Sequence, residues 1–329
     1  MYDGDLESVK LLLEWLIQQK TTDTIEQITE EILEILIEDE EYLAVFFSGP
    51  CEADDPCNEI LEELEKVDSN LQDYGIMLVM TEEREFAKTL GVTTFPALGL
   101  FRNGEYVPYE GELDDELELE VLEWFTDKEI LLLKGKIEKV NSDLLDQFIS
   151  TETDILVFMY RENNLNDIDI VDQLEHIDDE LEEKEIELVK CSDKGVEKEY
   201  GLGITPVLVH FHNQVPNVYK EDLERENEVL AWILANLDKS EIDEVAGAIL
   251  DVLIDRLDNL AVIFYDNDHD DDNAFVQKME EFDDDLDDIS VPLVKISDQN
   301  KALQFGLDET PALIYFKREI PGIYDGPMG

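Results

Sequence analysis

One motif of fixed spacing occurs three times in this chain and limits what the chain can fold into. In each copy a glycine is followed five residues later by a proline, and thirteen residues after the proline by a tyrosine. The copies are Gly91, Pro96 and Tyr109; Gly201, Pro206 and Tyr219; and Gly306, Pro311 and Tyr324. Successive prolines are 110 and 105 residues apart, which is the length of a small domain rather than of a solenoid turn. The chain is therefore predicted to fold as a row of similar domains.

The repeat sets the domain boundaries of the 329-residue chain. We assign residues 21–134 to repeat 1, residues 135–240 to repeat 2 and residues 241–329 to repeat 3. Residues 1–20 have the periodicity of a terminal helix of a preceding repeat, whereas repeat 3 stops before its own last helix. We therefore expect an excerpt from a longer array. The first helix would pack on repeat 1 or complete repeat 3 of a neighbouring molecule in head-to-tail self-association.

The apolar periodicity within one repeat alternates between that of a strand and that of a helix. In repeat 1 it predicts the order βαβαβαββα, with a fully buried strand at 42–47 and a helix that begins at Pro56. Strands joined by helices form parallel pairs, while the turn at Asn103 and Gly104 makes the last pair antiparallel. The predicted fold class is α/β, with one mixed β-sheet flanked by helices in every repeat.

The chain carries 85 acidic against 24 basic residues, a formal net charge of −61. This balance argues against nucleic acids and anionic membrane surfaces as partners, because both are bound through clustered Lys and Arg. No apolar run reaches the roughly 18 residues of a membrane span, and the first residues lack the pattern of a signal peptide. The acidity either serves solubility alone or attracts cations, in which case folding should depend on salt or divalent ions.

Several of these motifs resemble those of one protein family. Phe46 and Phe47 end a strand before a cysteine-containing loop, and the glycine-to-proline spacing precedes a strand in every repeat. With the segments 101–104 and 109–111, they resemble the tandem thioredoxin-like domains of the protein disulfide isomerase family. The acidic repeats also look like calsequestrin, the calcium-storage protein of muscle reticulum. The resemblance implies a place in the endoplasmic or sarcoplasmic reticulum lumen, or elsewhere in the secretory pathway. It also implies cis prolines at Pro96, Pro206 and Pro311.

Cys51 and Cys57 occupy the loop where catalytic members of that family have a Cys-x-x-Cys pair. Here five residues intervene instead of two, and the neighbouring Glu52, Asp54 and Asp55 raise a thiol pKa, opposite to what a nucleophilic thiolate requires. Repeats 2 and 3 have no cysteine in this loop. The favoured interpretation is a structural disulfide; a redox-active pair, free thiols and a partial metal site are the alternatives. The third cysteine, Cys191, is predicted to be a buried small hydrophobic residue.

An acidic cluster in repeat 3 is the calcium candidate. Its members are Asp266, Asp268, Asp270, Asp271 and Asp272, followed one helix later by a group that includes Asp284 and Asp287. The start resembles an EF-hand loop, but that motif fails because Asp271 replaces the required glycine and Gln277 the required glutamate. Weak, multiple calcium sites and a solvated acidic face both remain as interpretations.

The four histidines, His176, His210, His212 and His269, show no ligand spacing and no nucleophile partner. His210 and His212 alternate along one strand and point the same way, and we expect them to be surface or half-buried residues. The leading function is thus a non-catalytic, acidic scaffold that binds proteins and divalent cations, with weak, multiple calcium binding and no cofactor required. The alternative is a disulfide isomerase-like oxidoreductase or redox chaperone in which only repeat 1 is active.

Overall fold

The computed structural model describes residues 24–48, 56–114, 117–133, 135–184, 186–237, 241–287, 289 and 291–326. The chain divides into two compact units, Met1–Leu133 and Lys134–Gly329. Repeat 1 forms the first unit and repeats 2 and 3 together form the second. The helix predicted over 1–20 and the cysteine at position 51 lie outside the described residues, and head-to-tail self-association therefore stays a prediction.

Repeat 1 alternates strands and helices as its periodicity predicts. Its elements are β1 (Glu26–Gln27), α1 (Glu30–Asp39), β2 (Tyr42–Phe47), α2 (Pro56–Gln72), β3 (Met77–Thr81), α3 (Arg84–Thr89), β4 (Ala97–Arg102), β5 (Glu105–Pro108), α4 (Glu118–Thr126) and α5 (Lys128–Leu131). The apolar residues of α2 recur every three or four positions, and Ile60, Leu64, Val67 and Leu71 are all buried. Strand β2 is buried at every residue because it lies between two other strands.

Repeat 2 has the same order of elements. They are β6 (Glu138–Lys139), α6 (Ser142–Thr151), β7 (Asp154–Met159), α7 (Leu165–Glu182), β8 (Glu187–Cys191), α8 (Val196–Glu199), β9 (Val207–His212), β10 (Val215–Val218) and α9 (Glu226–Leu237). Helix α6 begins at Asn141, whose side chain accepts a hydrogen bond from the Leu144 amide at 2.8 Å. Leu156 and Phe158 of β7 pack in one core cluster with Leu174 of α7 and Ile233 of α9.

Repeat 3 again follows the pattern as far as its last hairpin. Its elements are β11 (Asp243–Glu244), α10 (Gly247–Arg256), β12 (Asn259–Phe264), α11 (Asp270–Glu280), α12 (Asp283–Asp287), β13 (Leu293–Ile296), α13 (Gln299–Gln304), β14 (Ala312–Lys317) and β15 (Ile320–Ile323). Within the described residues, repeat 3 has no counterpart of α4 or α9 after its hairpin. Tyr315 on β14 and Ile323 on β15 are exposed.

All three sheets share one topology. The strand orders are β1-β3-β2-β4-β5, β6-β8-β7-β9-β10 and β11-β13-β12-β14-β15. The central strand of each sheet is the second of its repeat: β2, β7 or β12. On one side of it the strand pairs are parallel and joined through helices, and on the other side they are antiparallel. This is the mixed sheet of a thioredoxin-like domain, and the predicted fold class is confirmed. None of the helices among the described residues is long and apolar enough to cross a membrane.

The strands at the two edges of each sheet are unlike the central ones. One edge is a strand of only two residues in every sheet: β1, β6 or β11. The other edge, β5, β10 or β15, contains a proline in every case, at Pro108, Pro216 and Pro321. Proline has no backbone N–H and is found in sheets at edge positions, where its nitrogen faces away from the neighbouring strand. Both edges therefore offer few hydrogen-bonding groups to another strand.

Repeats 2 and 3 are in contact through one arginine, Arg256. Arg256 of α10 donates to Asp146 of α6 and to the Tyr200 hydroxyl, with N···O distances of 3.0 Å and 2.9 Å. Its guanidinium also lies over the Tyr200 ring, 4.2 Å from the centroid. Burial raises the pKa of Tyr200, so its hydroxyl remains a neutral donor to Asp146.

Candidate functional site

Each repeat has a buried anchor in the first turn of its longest helix. The anchors are Cys57 of α2, Asp167 of α7 and Asp272 of α11, and all three side chains are buried. They occupy equivalent positions, since Cys57 precedes Ile60 as Asp167 precedes Ile170 in otherwise matching helices. Asp167 and Asp272 are tied by hydrogen bonds to the chain that leads into the helix, and Cys57 is disulfide-bonded. We call this contact the loop staple.

In repeat 2 the loop staple is an ion pair. Asp167 receives the Arg161 guanidinium through two hydrogen bonds of 2.7 Å and 2.8 Å, and the Arg161 backbone N–H through a third of 3.0 Å. The hydrogen bond from Arg161 lowers the pKa of the Asp167 carboxyl, against the opposing effect of burial. The Asn164 side chain accepts from the first backbone N–H groups of the helix, which fixes its start. A bidentate arginine in this position holds the loop and leaves no nucleophile there.

In repeat 3 the loop staple is a carboxylate that accepts from the backbone. The buried Asp272 accepts the Asp266 N–H at 2.8 Å, six residues earlier, as Asp167 accepts the Arg161 N–H. The Asp266 carboxylate in turn accepts from the Asp268 N–H at 3.0 Å and lies 3.5 Å from His269. The arginine of repeat 2 is replaced by an acidic residue, but the hydrogen bond between backbone and anchor is kept.

In repeat 1 the anchor is a cysteine. Cys57 is disulfide-bonded and buried, and Cys51 lies outside the described residues. Cys191 is buried at the end of β8, as expected of a small hydrophobic residue. Neither loop of repeats 2 and 3 carries a sulfur atom, so the described structure gives these two repeats no dithiol chemistry. The anchor position is shared by the three repeats, whereas the chemistry that holds it is not.

The loops before the prolines of the repeated motif form a second candidate surface. The peptide bonds before Pro96, Pro206 and Pro311 are all cis. In repeat 2 the loop presents Ile204, whose surface is 86% exposed. The equivalent residues are Thr94 in repeat 1 and Glu309 in repeat 3. A large exposed aliphatic side chain thus occurs at this position in repeat 2 alone.

The aspartates of the calcium candidate do not converge in the described structure. Asp266 and Asp272 are engaged with backbone amides, while Asp268 and Asp270 are exposed. Asp284 and Asp287 belong to α12, but their side chains are outside the description. The described carboxylates of this cluster do not form a group with metal-ligand spacing. Calcium binding there stays a prediction.

One group of side chains does converge, at the end of the sheet of repeat 2. Asp154 opens β7, and the antiparallel register places it opposite His212, the last residue of β9. Asp154 Oδ1 lies 2.8 Å from His210 Nε2 and 2.7 Å from His212 Nδ1. All three potential ligand atoms lie within 4.8 Å of one another. We call these three residues the histidine corner.

The histidine corner corrects the expectation that both histidines are surface or half-buried. His212 is partly exposed, but only 1% of the His210 side chain is accessible. His210 lies on β9, between β7 and β10, and its side chain is buried with Nε2 against Asp154. Burial raises the pKa of Asp154, but hydrogen bonds from His210 and His212 outweigh burial and lower it overall. The carboxylate is therefore ionised and held between two imidazoles.

Sequence reasoning missed Asp154 because it precedes His210 by 56 residues. A signal was nevertheless present. In a mixed sheet of this order the central strand, β7, and the strand after the proline, β9, are antiparallel. Aligning their apolar runs places the first residue of β7 opposite the last residue of β9. That register joins Asp154 to His212 without any coordinates.

Comparison with known proteins reveals similarity in fold. No family model and no curated protein matches the sequence. A crystal structure of ERdj5 aligns over 98% of this chain and 43% of its own, with a TM-score of 0.31 and 15% identity. A zinc-bound form of human ERp44 aligns over 92% of this chain and 83% of its own, with a TM-score of 0.30 and 11% identity. The first two thioredoxin domains of Naumovozyma dairenensis Eps1p cover 63% of this chain, with a TM-score of 0.28 and 10% identity.

The likeness concerns the fold alone at these identities. The chain has three thioredoxin-like sheets in tandem, as its motifs predict. It spans less than half the length of the ERdj5 structures that it matches, 43% and 46%. The resemblance to calsequestrin stays a prediction.

Proposed function

We propose that this chain is a non-catalytic, acidic scaffold that binds extended segments of other proteins. The loop staple carries the proposal. In repeats 2 and 3 the anchor position holds Asp167 or Asp272, and neither can exchange a disulfide. In repeat 1 the sulfur of Cys57 is buried, whereas exchange requires access for an attacking thiolate. A buried anchor held at one position by three kinds of contact favours a structural task common to the repeats.

The surface that supports binding is the loop before Pro206. Ile204 is exposed, and within the described residues no backbone hydrogen bond involves Ile204 or Thr205. An extended segment of another protein can pair with this backbone as an added strand and cover the Ile204 side chain. The net charge of −61 favours basic segments, because complementary charge steers association. Repeat 2 is thus the proposed principal binding domain.

The same proposal puts the protein in the lumen of the secretory pathway and gives it weak calcium binding. A disulfide at Cys57 fits an oxidising compartment. The 85 acidic residues, against 24 basic ones, provide oxygen ligands for calcium. Weak calcium sites, such as those of extracellular modules, have Kd values of roughly 0.1 to 1 mM. These two features support location and calcium uptake together.

The binding proposal is tested with an unfolded basic chain, reduced and carbamidomethylated lysozyme, titrated by fluorescence anisotropy. Ile204→Asp should weaken binding at least tenfold, because burying an isoleucine side chain contributes about 1.5–3 kcal/mol. Leu119→Asp is the matched control, since Leu119 is a similarly exposed aliphatic residue on α4. It should bind as wild type does. Equal affinity for wild type and Ile204→Asp would remove repeat 2 as the binding domain.

A redox measurement separates the scaffold from the oxidoreductase alternative. A structural bridge at Cys57 should have a reduction potential below about −300 mV. Cys57→Ser should leave lysozyme binding unchanged, and neither form should reduce insulin disulfides. A potential near that of the disulfide isomerases, about −180 mV, with insulin reduction lost in Cys57→Ser, would establish the alternative.

Calcium uptake is tested by thermal unfolding in calcium chloride and in sodium chloride of equal ionic strength. A site of about 1 mM Kd stabilises the native state by roughly 1.4 kcal/mol at 10 mM calcium, and several sites add. Calcium should therefore raise the melting temperature more than sodium does. An equal rise in both salts would mean that the acidic surface takes up counterions without calcium sites.

A further inference from the structure

We propose that the histidine corner of repeat 2 binds one divalent transition metal ion of the zinc class, with Asp154, His210 and His212 as its ligands. Two imidazole nitrogens and a carboxylate oxygen form the donor set that zinc accepts, with a fourth position for water. Calcium prefers six to eight oxygen ligands and does not suit this set. The site is therefore separate in both place and chemistry from the weak calcium binding proposed above.

The geometry needs only a small adjustment to hold such an ion. Tetrahedral zinc with ligand bonds of about 2.0 Å, the short end of the usual range, places neighbouring ligand atoms about 3.3 Å apart. The two imidazole nitrogens now lie 2.8 Å and 2.7 Å from Asp154 Oδ1. Opening each contact by about half an ångström admits the metal ion. Asp154 and His212 are partly exposed and can move, while the buried His210 forms the fixed wall of the site.

The protons of both imidazoles can leave the ligand atoms. His210 donates to Asp154 through Nε2, and within the described residues its buried Nδ1 has no hydrogen-bond partner. Its tautomer can therefore change without the loss of a hydrogen bond at Nδ1. His212 faces Asp154 with Nδ1, while its Nε2 lies 3.3 Å from the Asn213 side-chain amide. When a metal takes Nδ1, the proton moves to Nε2, and the Asn213 amide turns over to accept it.

The other two repeats provide an internal comparison. At the equivalent positions repeat 1 has Tyr42 and Arg102, which donate to the Leu131 and Ile130 carbonyls and close the corner within the protein. In repeat 3 the Tyr315 hydroxyl donates to Asn259 at 2.6 Å. Neither set can bind a zinc-class ion. The proposed stoichiometry is thus one ion per chain, held by repeat 2.

The test is a titration of the oxidised full-length chain with zinc sulfate, in excess magnesium that saturates the acidic surface. Isothermal calorimetry should give one site, which His212→Asn weakens at least tenfold. Asparagine can keep a hydrogen bond to Asp154, so this variant should fold without metal, as its thermal unfolding checks. His176→Asn and His269→Asn, at exposed histidines, are matched controls and should bind as wild type does. Equal affinity for wild type and His212→Asn would overturn the proposal.

A second measurement identifies the ligands directly. Nitrogen-15 NMR of the four imidazole rings should show zinc-dependent changes at His210 Nε2 and His212 Nδ1, and none at His176 or His269. Asp154→Asn should weaken binding while both rings stay in place. Changes spread over all four rings, or no change at His210, would show that the ions lie on the acidic surface and would overturn the site.

Discussion

Repeats 1 and 2 fix the same helical position with different chemistry. The buried Cys57 is held by a covalent bond, whereas the buried Asp167 is held by the charge and hydrogen bonds of Arg161. A disulfide acts through the unfolded chain, whose freedom it limits, while an ion pair acts through the folded state and depends on its dielectric surroundings. The two repeats therefore share a buried anchor in the first helical turn rather than a reactive group.

The largest expected effect breaks the ion pair at its buried end. Asp167→Ala should destabilise repeat 2 by about 3 kcal/mol, because it leaves the Arg161 N–H and guanidinium without their acceptor. Asp272→Ala in repeat 3 removes one backbone hydrogen bond and no ion pair, and should lose about 1–2 kcal/mol. Hydrogen exchange of peptides from the two sheets measures both. Similar losses in the two repeats would show that the arginine adds nothing.

The next effect transfers the chemistry of repeat 1 into repeat 2. The double substitution Arg161→Cys and Asp167→Cys should form a disulfide on oxidation, because these residues already touch across a separation of six positions. A closed loop of this length should stabilise the oxidised form over its own reduced form by about 2 kcal/mol in the chain-entropy model. Thiol counting and urea unfolding in both redox states check it. Failure to oxidise would mean that the loops differ in backbone path.

A pH series sharpens the same contrast. The pKa of Asp167 is lowered in the folded state by the Arg161 hydrogen bond. Its contribution to stability is therefore full above the unfolded value of about 4 and is lost as the pH falls through the lower folded pKa. The stability difference between wild type and Asp167→Asn should be largest near neutral pH and smaller by half or more near pH 2. Urea midpoints measure it. A constant difference would exclude ionisation as its origin.

The smallest expected effect concerns an ion pair on the surface of the same repeat. Arg225 lies 3.0 Å from Glu228 and 3.4 Å from Asp222, and all three side chains are exposed. Arg225→Ala should leave the stability nearly unchanged, since exposed pairs are screened by solvent. Thermal unfolding in low and high salt checks this. A loss of stability as large as that of Asp167→Ala would contradict the expectation that a buried ion pair contributes more than an exposed one.

The sequence predicts the fold well because the fold depends on spacing. The step from Gly201 to Pro206, the Asn103 and Gly104 turn and the apolar runs are local patterns that repeat. Hairpin turns with positive φ occur at all three equivalent places, including Asn213 with Gln214, and Arg318 with Glu319. The last two pairs lack glycine, so comparison with repeat 1 predicts them and turn propensity does not.

The candidate sites were harder to predict because they depend on partners, not on spacing. In the sequence, Arg161 and Asp167 look like ordinary surface charges. They form an ion pair with one buried member because the Asp167 side chain, in the first turn of α7, is buried. The expectation for His210 is wrong because alternation along a strand gives the face of a residue and not whether that face is covered; Tyr315, at the equivalent position, is exposed. Asp154 joins it only when the register of β7 and β9 is known.

The edge strands have a consequence for a chain that holds three similar sheets at high local concentration. Because the three sheets belong to one chain, their edge strands are present at high local concentration. Pairing between exposed edge strands is the first step of fibril growth. Pro108, Pro216 and Pro321 remove one donor from each longer edge, and the opposite edges are two residues long. A strand that tried to extend any of these sheets would meet a gap in its ladder almost at once. Substitution of an edge proline is thus more hazardous to this protein than substitution of a loop residue. Without the proline, the edge strand would have an uninterrupted row of backbone donors, which is a template for aggregation.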